Sequence, residues 1–226
     1  IMLALKLGQS LSSSSGPSSD WSPTDESSLE AWYQNTVGIT LNGSDVSQWA
    51  DSSTNSRNMV QATATEQPSY SAGALTFVAA DSNNLQTTGQ ISLSDDFTIG
   101  MRVYMQATGG VLLADNTIAN EFFKVTSTTR IAIRIDGVTK QVDLDSGTFL
   151  SDTYLVITRA SDVISLYFGG VLQSDTETHT GTADIDAIGV RETDTNPLSA
   201  IIEEVQIFSS SNATLIANVN TRLASL

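Results

Sequence analysis

The sequence predicts an all-β fold: a two-sheet antiparallel jelly-roll sandwich with a short C-terminal helix and an N-terminal arm. Three observations carry this. Period-two hydrophobic alternation dominates beyond residue 28, turn residues recur at the roughly 8–12-residue spacing of sandwiches, and a helical stripe shows only at the end of the chain.

Residues 1–28 stand apart as an arm. From Gln9 to Ser28 serines crowd together with Gly16, Pro17 and Pro23, and such a stretch buries too little apolar surface to offset its ordering entropy. It reads as a linker. The apolar peptide at its head, Met2, Leu3, Leu5 and Leu7, with Leu11 behind it, reads as a docking segment for a partner. A strand laid on the protein's own sheet, or on a neighbouring copy, is the alternative. Trp21, between Asp20 and Ser22, reads as an anchor into a pocket of another subunit. Lys6 interrupts the apolar stretch and no small-residue cleavage site follows, so classical export is not expected.

Residues 29–226 form the domain. Phe97, Ile99, Met101, Val103 and Met105 alternate with smaller or polar residues and predict a half-buried strand. Residues 130–135 repeat the pattern and meet Asp136-Gly137, a two-residue hairpin signal, with 138–144 returning. Residues 154–159 are a continuous apolar run, turned by Ala160-Ser161-Asp162 into 163–168, and Gly169-Gly170 reverses the chain into 171–173. Further strands are predicted at 38–41, 46–49, 75–78, 111–114, 122–126, 185–191 and 200–208. Leu215, Val219, Leu223 and Leu226 form the helical stripe, with Ser211 or Asn212 as N-cap, and are expected to seal one edge of the sandwich.

Composition narrows the function. Asp and Glu number 25 against 10 Lys and Arg, a net charge of −15, which repels phosphate backbones. Nucleic acid and membrane surfaces are therefore not expected partners. No stretch approaches the roughly 18 apolar residues of a membrane span. The absence of cysteine removes disulfides, thiolate nucleophiles and Cys-bound metals. The single histidine, His179, lies in a polar run and reads as an exposed loop residue. Acidic loops at 81–84, 115–116 and 192–196 match no ligand spacing, so no metal and no cofactor are expected.

Several segments, in order, resemble one family. Leu29-Glu30-Ala31-Trp32-Tyr33 is similar to its opening strand, Val46 to Ser52 to its V-x-x-W-x-D-x-S segment, and Gln67-Pro68-Ser69-Tyr70 with Leu75-Thr76-Phe77 to its Q-P-x-Y passage. Phe97-Thr98-Ile99, the hairpin over 154–171 and Ile202 to Phe208 resemble its core strand, its R-bearing hairpin and its closing I-D-E-V-R-I-Y strand. These are features of the concanavalin A-like jelly rolls of laminin-G/pentraxin type, in the versions found in phage virion and bacterial surface proteins. Val78-Ala79 replaces an Asp-Gly of that pattern, which weakens any family-type calcium site there.

Catalysis is not expected. Some relatives of this superfold are glycosidases using two carboxylates on one strand; Asp184 and Asp186 have the minimal i, i+2 spacing, but the longer acidic pattern is absent, and Glu203 and Glu204 are adjacent and so point to opposite faces. Sugar binding needs an aromatic platform instead, and Tyr70 is the candidate, Trp32 and Trp49 lying within apolar strand patterns. The resemblance and the arm together imply a non-enzymatic virion structural protein, a bacteriophage capsid decoration or fibre protein. It would be located on the virion, docked to a major capsid or tail protein through its arm, homo-oligomeric, and able to meet a host-surface glycan. The alternative is the carbohydrate-binding lectin module of a bacterial surface protein.

Overall fold

A computed structural model describes residues 21–192 and 194–226. Met2, Leu3, Leu5, Leu7 and Leu11 lie outside the described residues. The strands, in chain order, are β1 (Leu29–Tyr33), β2 (Ile39–Asn42), β3 (Asp45–Trp49), β4 (Met59–Val60), β5 (Ser69–Ser71), β6 (Ala74–Phe77), β7 (Leu85–Leu93), β8 (Phe97–Met105) and β9 (Val111–Ala114). They continue as β10 (Phe122–Val125), β11 (Arg130–Ile135), β12 (Val138–Asp143), β13 (Asp152–Ala160), β14 (Val163–Phe168), β15 (Val171–Leu172), β16 (Glu177–Thr178), β17 (Ala183–Ile188) and β18 (Ala200–Phe208). The helix α1 (Ala213–Ala224) follows.

Every pairing between these strands is antiparallel, and they stack in two layers. In sheet I, β18 pairs along one side with β8 and on the other with β6 and then β1; β13 and β14 extend the sheet beyond β8, and the short β15 and β16 pair with β14. Sheet II runs β2, β3, β4, β7, β17, β9, β10, β11, β12. The pair Asp45↔Ser69 and the β5–β6 ladder link the layers at one edge.

Alternation places the core between them. Phe97, Ile99, Met101, Val103 and Met105 of β8 point inward, facing Phe123, Ile131 and Ile133 of sheet II and their neighbours. On β18 the register slips between Ile202 and Glu204, so Glu203 is an extra residue; Ile202 and Val205 are both buried in the core, and Glu204 is buried on the outer face. The expectation that Glu203 and Glu204 simply alternate fails at this bulge.

The outer face of sheet I is apolar as well, because Val156 and Phe208 point outward beneath Leu215, Val219 and Leu223 of α1. The helix therefore covers a face rather than sealing an edge. Asn212 is its N-cap, the side chain accepting from Leu215 N at 2.9 Å. Gly100 on β8 admits it: a Cβ built there would lie 2.5 Å from Val219 Cγ1. The polar contact is equally specific. Glu204 is fully buried and accepts hydrogen bonds from Trp32 Nε1 at 3.0 Å, Asn35 N at 3.1 Å, Gln206 Nε2 at 2.7 Å and Arg222 Nη2 at 2.8 Å.

Two motifs acquire a structural reason. Asp51 of the W-x-D-x-S segment accepts from Trp32 N, Ser53 N, Ser53 Oγ and Arg57 N, knotting the loop after β3 to the first strand. Arg159 of the R-bearing hairpin is buried and donates to the carbonyls of Leu93, Asp95 and Gly181, stitching β13 of sheet I to the ends of β7 and β17 in sheet II.

Four expectations change. Trp21 belongs to this chain's own structure: half-buried, it packs 6.4 Å from the Phe208 ring beside α1, and its Nε1 donates to Glu26 at 3.0 Å. A short 3-10 turn, Pro23–Asp25, capped by Ser22, then leads into β1. His179 is 4% exposed rather than solvated, its ring nitrogens lying 3.0 Å and 2.9 Å from the carbonyls of Thr180 and Val138. The strand expected over 185–191 spans Ala183–Ile188 and stops at Gly189, whose φ of 93° turns the chain. The strands β4, β5, β7 and β16 were not among those predicted from alternation.

Candidate functional site

Among the described residues no helix covers the outer face of sheet II. Its side chains can be followed strand to strand: Arg134↔Phe122↔Ala114↔Ala187↔Gln86↔Val60↔Gln48. The row runs from a cationic side to an amide-rich side.

At the amide-rich side the ladder between β7 and β17 opens. Between the pairs Ile185↔Ile91 and Ala187↔Gln86, the single residue Asp186 stands opposite the segment Thr87 to Gln90. This bulge crowds Thr87, Thr88, Gly89 and Gln90 against one residue of β17, and they line two adjoining clefts. One, of about 520 Å³, is lined by Gln48, Arg57, Asn58, Val60, Thr88 and Gln90 among others. The other, of about 390 Å³, lies across Val60 and is lined by Gln61, Thr63, Glu66, Gln86 and Thr87.

The walls are held rigid from behind. Gln61 and Gln86 both donate to Asn84 Oδ1, at 2.8 and 2.9 Å. Arg57 is fixed by Glu30 at 2.7 Å, its backbone N donates to Asp51 and its carbonyl accepts from Tyr33. Gly89 lets the stem of Arg57 lie against β7, since a Cβ there would meet Arg57 Cγ at 3.2 Å. Within the described residues the side chains of Gln48 and Thr88 form no hydrogen bond and face the cleft. An amide both donates and accepts, as a hydroxyl does, so these cleft walls can exchange hydrogen bonds in both directions.

A group of carboxylates lies farther along the same sheet. Asp115 accepts from Thr117 N and Oγ1, Ile118 N and Gln90 Nε2. Glu121, 2% exposed, accepts from Asp136 N; burial pushes its carboxyl up to about 7 against that amide, with Asp115, Asp184 and Asp136 adding to the rise. Asp186 accepts from Asn116 N at 2.7 Å, and its carboxyl is also held above the ordinary range, by burial first. Asp186 thus sits opposite the bulge and accepts from a loop amide, with Asp184 two residues away on the same strand adding to the rise of its carboxyl. Among the described residues no group of three or more His, Cys, Asp and Glu is placed to hold a metal ion.

Tyr70 lies elsewhere. It sits half-buried on β5, paired with Leu75 and packed against the edge of the core, and lines neither cleft. Trp32 and Trp49 are buried, the latter donating to Gln34 O at 3.1 Å. Sequence reasoning passed over Gln48, Gln86 and Thr88; the signal available was the interruption Thr87-Thr88-Gly89 between Leu85 and Ile91, which marks a bulge only once β17 is known to lie beside it.

No protein-family model matches the chain, and no curated protein matches it. Solved structures do. The binding domain of Paraclostridial Mosquitocidal Protein 1 is similar at 14% identity and a TM-score of 0.60, over 90% of this chain and 53% of that one. Domain 4 of AbnA, an extracellular arabinanase of Geobacillus stearothermophilus solved with arabinotriose, is 15% identical with a TM-score of 0.57, over 87% and 98% of the two chains. The binding domain of botulinum neurotoxin DC in complex with SialylT gives 14% and 0.51, over 89% and 52%. At such identities the likeness shows the fold: this chain has the β-sandwich architecture of these domains. It spans about half the length of the toxin domains it matches.

Proposed function

We propose that this chain is a non-enzymatic carbohydrate-binding β-sandwich, taking saccharide in the clefts over β3, β4 and β7. The single observation that carries the reading is the β7 bulge, which sets the uncommitted side chains of Gln48 and Thr88 around a cleft of about 520 Å³ backed by fixed amides. Support comes from similar structures whose names place arabinotriose on an arabinanase domain and SialylT on a toxin binding domain. Non-enzymatic is part of the proposal, and the engagement of Asp186 by Asn116 N supports it. An array of neutral and acidic glycans probed with the full chain tests it: saturable retention of at least one glycan class is expected, and none would overturn it. Tyr70→Ala belongs on the same array, because an edge site at β5 would lose retention there.

A second reading is carried by the arm. An apolar peptide at 2–7 ahead of a serine-rich stretch suits attachment to a particle, so the virion location, the capsid or tail partner and the homo-oligomer stay as proposals. The similar structures described above are toxin and glycosidase domains, which supports the lectin-like role more than this one. Because Trp21 packs on its own domain, deletion of residues 1–20 is the clean test; particle assembly unaffected by that deletion ends the reading.

A further inference from the structure

Six of the nine cations within the described residues are fully engaged, five of them with a carboxylate. Arg57 meets Glu30 at 2.7 Å, Arg102 meets Asp152 at 2.8 Å, Arg130 meets Asp143 at 2.7 Å, Lys140 meets Glu177 at 3.2 Å, Arg222 clasps Glu204, and Arg159 is spent on three backbone carbonyls. Three cations within the described residues depart from this rule, and they share one place. Arg134 stands directly opposite Phe122 in the β10–β11 ladder, on the outer face of sheet II. It makes no ion pair, and its Nε is buried without a partner. Arg191, on the loop after β17, lays its guanidinium 5.1 Å from the Phe122 ring centroid; its Nε is also without a partner, and its carboxylate contact is the adjacent Glu192 at 3.9 Å. Lys124, two residues along β10, reaches only the Asn196 amide oxygen, at 2.6 Å.

In a chain of net charge −15, unpaired cations are not short of carboxylates. Asp115, Asp136 and Asp186 accept from the amides of Thr117, Thr182 and Asn116, while Asp184 Oδ1 and Glu121 Oε2 are buried without a partner; among the described residues none of these five carboxylates forms an ion pair with the three cations. Mutual repulsion costs the three cations stability wherever they crowd; burial and the Arg191 charge together already hold the Lys124 ammonium below its usual range. Arg191 lies over the Phe122 ring and Arg134 stands opposite Phe122 in the ladder, so both forks belong to one patch of the outer face; a guanidinium fork takes a planar anion with two parallel hydrogen bonds.

We infer that Arg134, Arg191 and Lys124 form an anion subsite for the carboxylate or sulfate of an acidic saccharide whose neutral residues lie along the row toward Gln86 and Gln48. The inference rests on the glycan-binding reading above. Anything anionic approaching this protein is otherwise repelled, so the subsite selects chains that also hydrogen-bond the clefts.

The test is affinity electrophoresis of the full chain in polygalacturonate, dextran sulfate and neutral dextran. Retardation by polygalacturonate or dextran sulfate is expected, carboxylate and sulfate being told apart by which of the two acts. It should weaken at least tenfold in Arg134→Glu and in Arg191→Gln, fall with added salt, and persist in Lys140→Gln, which removes the same charge at a paired position. No retardation by either polyanion, or retardation equal in all variants, overturns the subsite. If neutral glycans bind on the array while both polyanions fail here, the subsite falls and the cleft reading stands. If a polyanion binds through Arg134 while no neutral glycan does, the subsite stands and the neutral cleft reading falls.

Discussion

Arg222, in the last turn of α1, closes its guanidinium over both oxygens of the fully buried Glu204 while lying 4.8 Å from the Trp32 ring. The helix is therefore locked to sheet I by one charge pair as well as by the apolar stripe. Removing a single partner of a buried pair leaves an uncompensated charge. Arg222→Ala should cost about 3 kcal/mol in urea unfolding. Glu204→Gln combined with Arg222→Ala should cost less than the sum of the two single changes, and strict additivity would show that the pair does not couple.

The helix also needs its gap. Gly100→Ala puts a methyl 2.5 Å from Val219 Cγ1 and 3.1 Å from Leu223 Cδ1. Overpacking of this kind costs about 1–3 kcal/mol. Calorimetry should show a lowered Tm, and a further Val219→Ala change should recover part of it. A Tm unchanged by Gly100→Ala would mean the helix rides freely on the sheet.

Stability should depend on pH through Glu121. Its carboxyl titrates near 7 in the folded chain, above its ordinary value, so between about 4.5 and 7 the folded state holds a proton that the unfolded state has released. Folding is then favoured on the acid side, and this contribution is lost as pH rises through 7. Asp186 acts in the same direction. Unfolding free energy should fall by on the order of 1–3 kcal/mol between pH 5 and 8 from this residue, and Glu121→Gln should flatten that slope. A variant with the same slope as the natural chain would contradict the assignment.

The β13–β14 turn is made by residues ill suited to it. Ser161 and Asp162 have φ of 50° and 66°, the left-handed geometry that the neighbouring turns meet with Asp136-Gly137 and Gly169-Gly170. Asp162→Gly should stabilise by about 0.5–1 kcal/mol, read as a raised midpoint in urea. A lowered midpoint would mean that the carboxylate beside Arg159 matters more than the turn.

What the sequence disclosed follows the physics of each segment. Strands with uninterrupted alternation, such as 97–105 and 130–135, were legible to within a residue, as were the Asp-Gly and Gly-Gly turns. β7 was not, because the odd positions in its middle, Thr87 and Gly89, are not large apolar residues, so the alternation that buries Leu85, Thr87, Ile91 and Leu93 does not show as a hydrophobic pattern. β4, β5 and β16 are too short to show a period at all. His179 looked solvated since its neighbours are polar, yet two backbone carbonyls, one of them Val138 from a distant strand, hold it inside. The candidate site was hidden for a different reason: its cleft is a property of a mismatch between two strands, and neither strand alone records it. Trp21 was read from its polar neighbours, and the apolar outer face that receives it is assembled from residues 156, 208 and 215–223.

The claim most in need of measurement is that saccharide binds over the β7 bulge. An amide-resolved NMR titration of the full chain with the best-retained glycan of the array tests it directly. Saturable shifts concentrated at Gln48, Val60, Thr87 and Thr88 are expected, with the midpoint concentration raised at least tenfold when Gln48→Ala and Thr88→Ala are combined. Shifts centred on Tyr70 and β5, or a midpoint unmoved by those two substitutions, would contradict it.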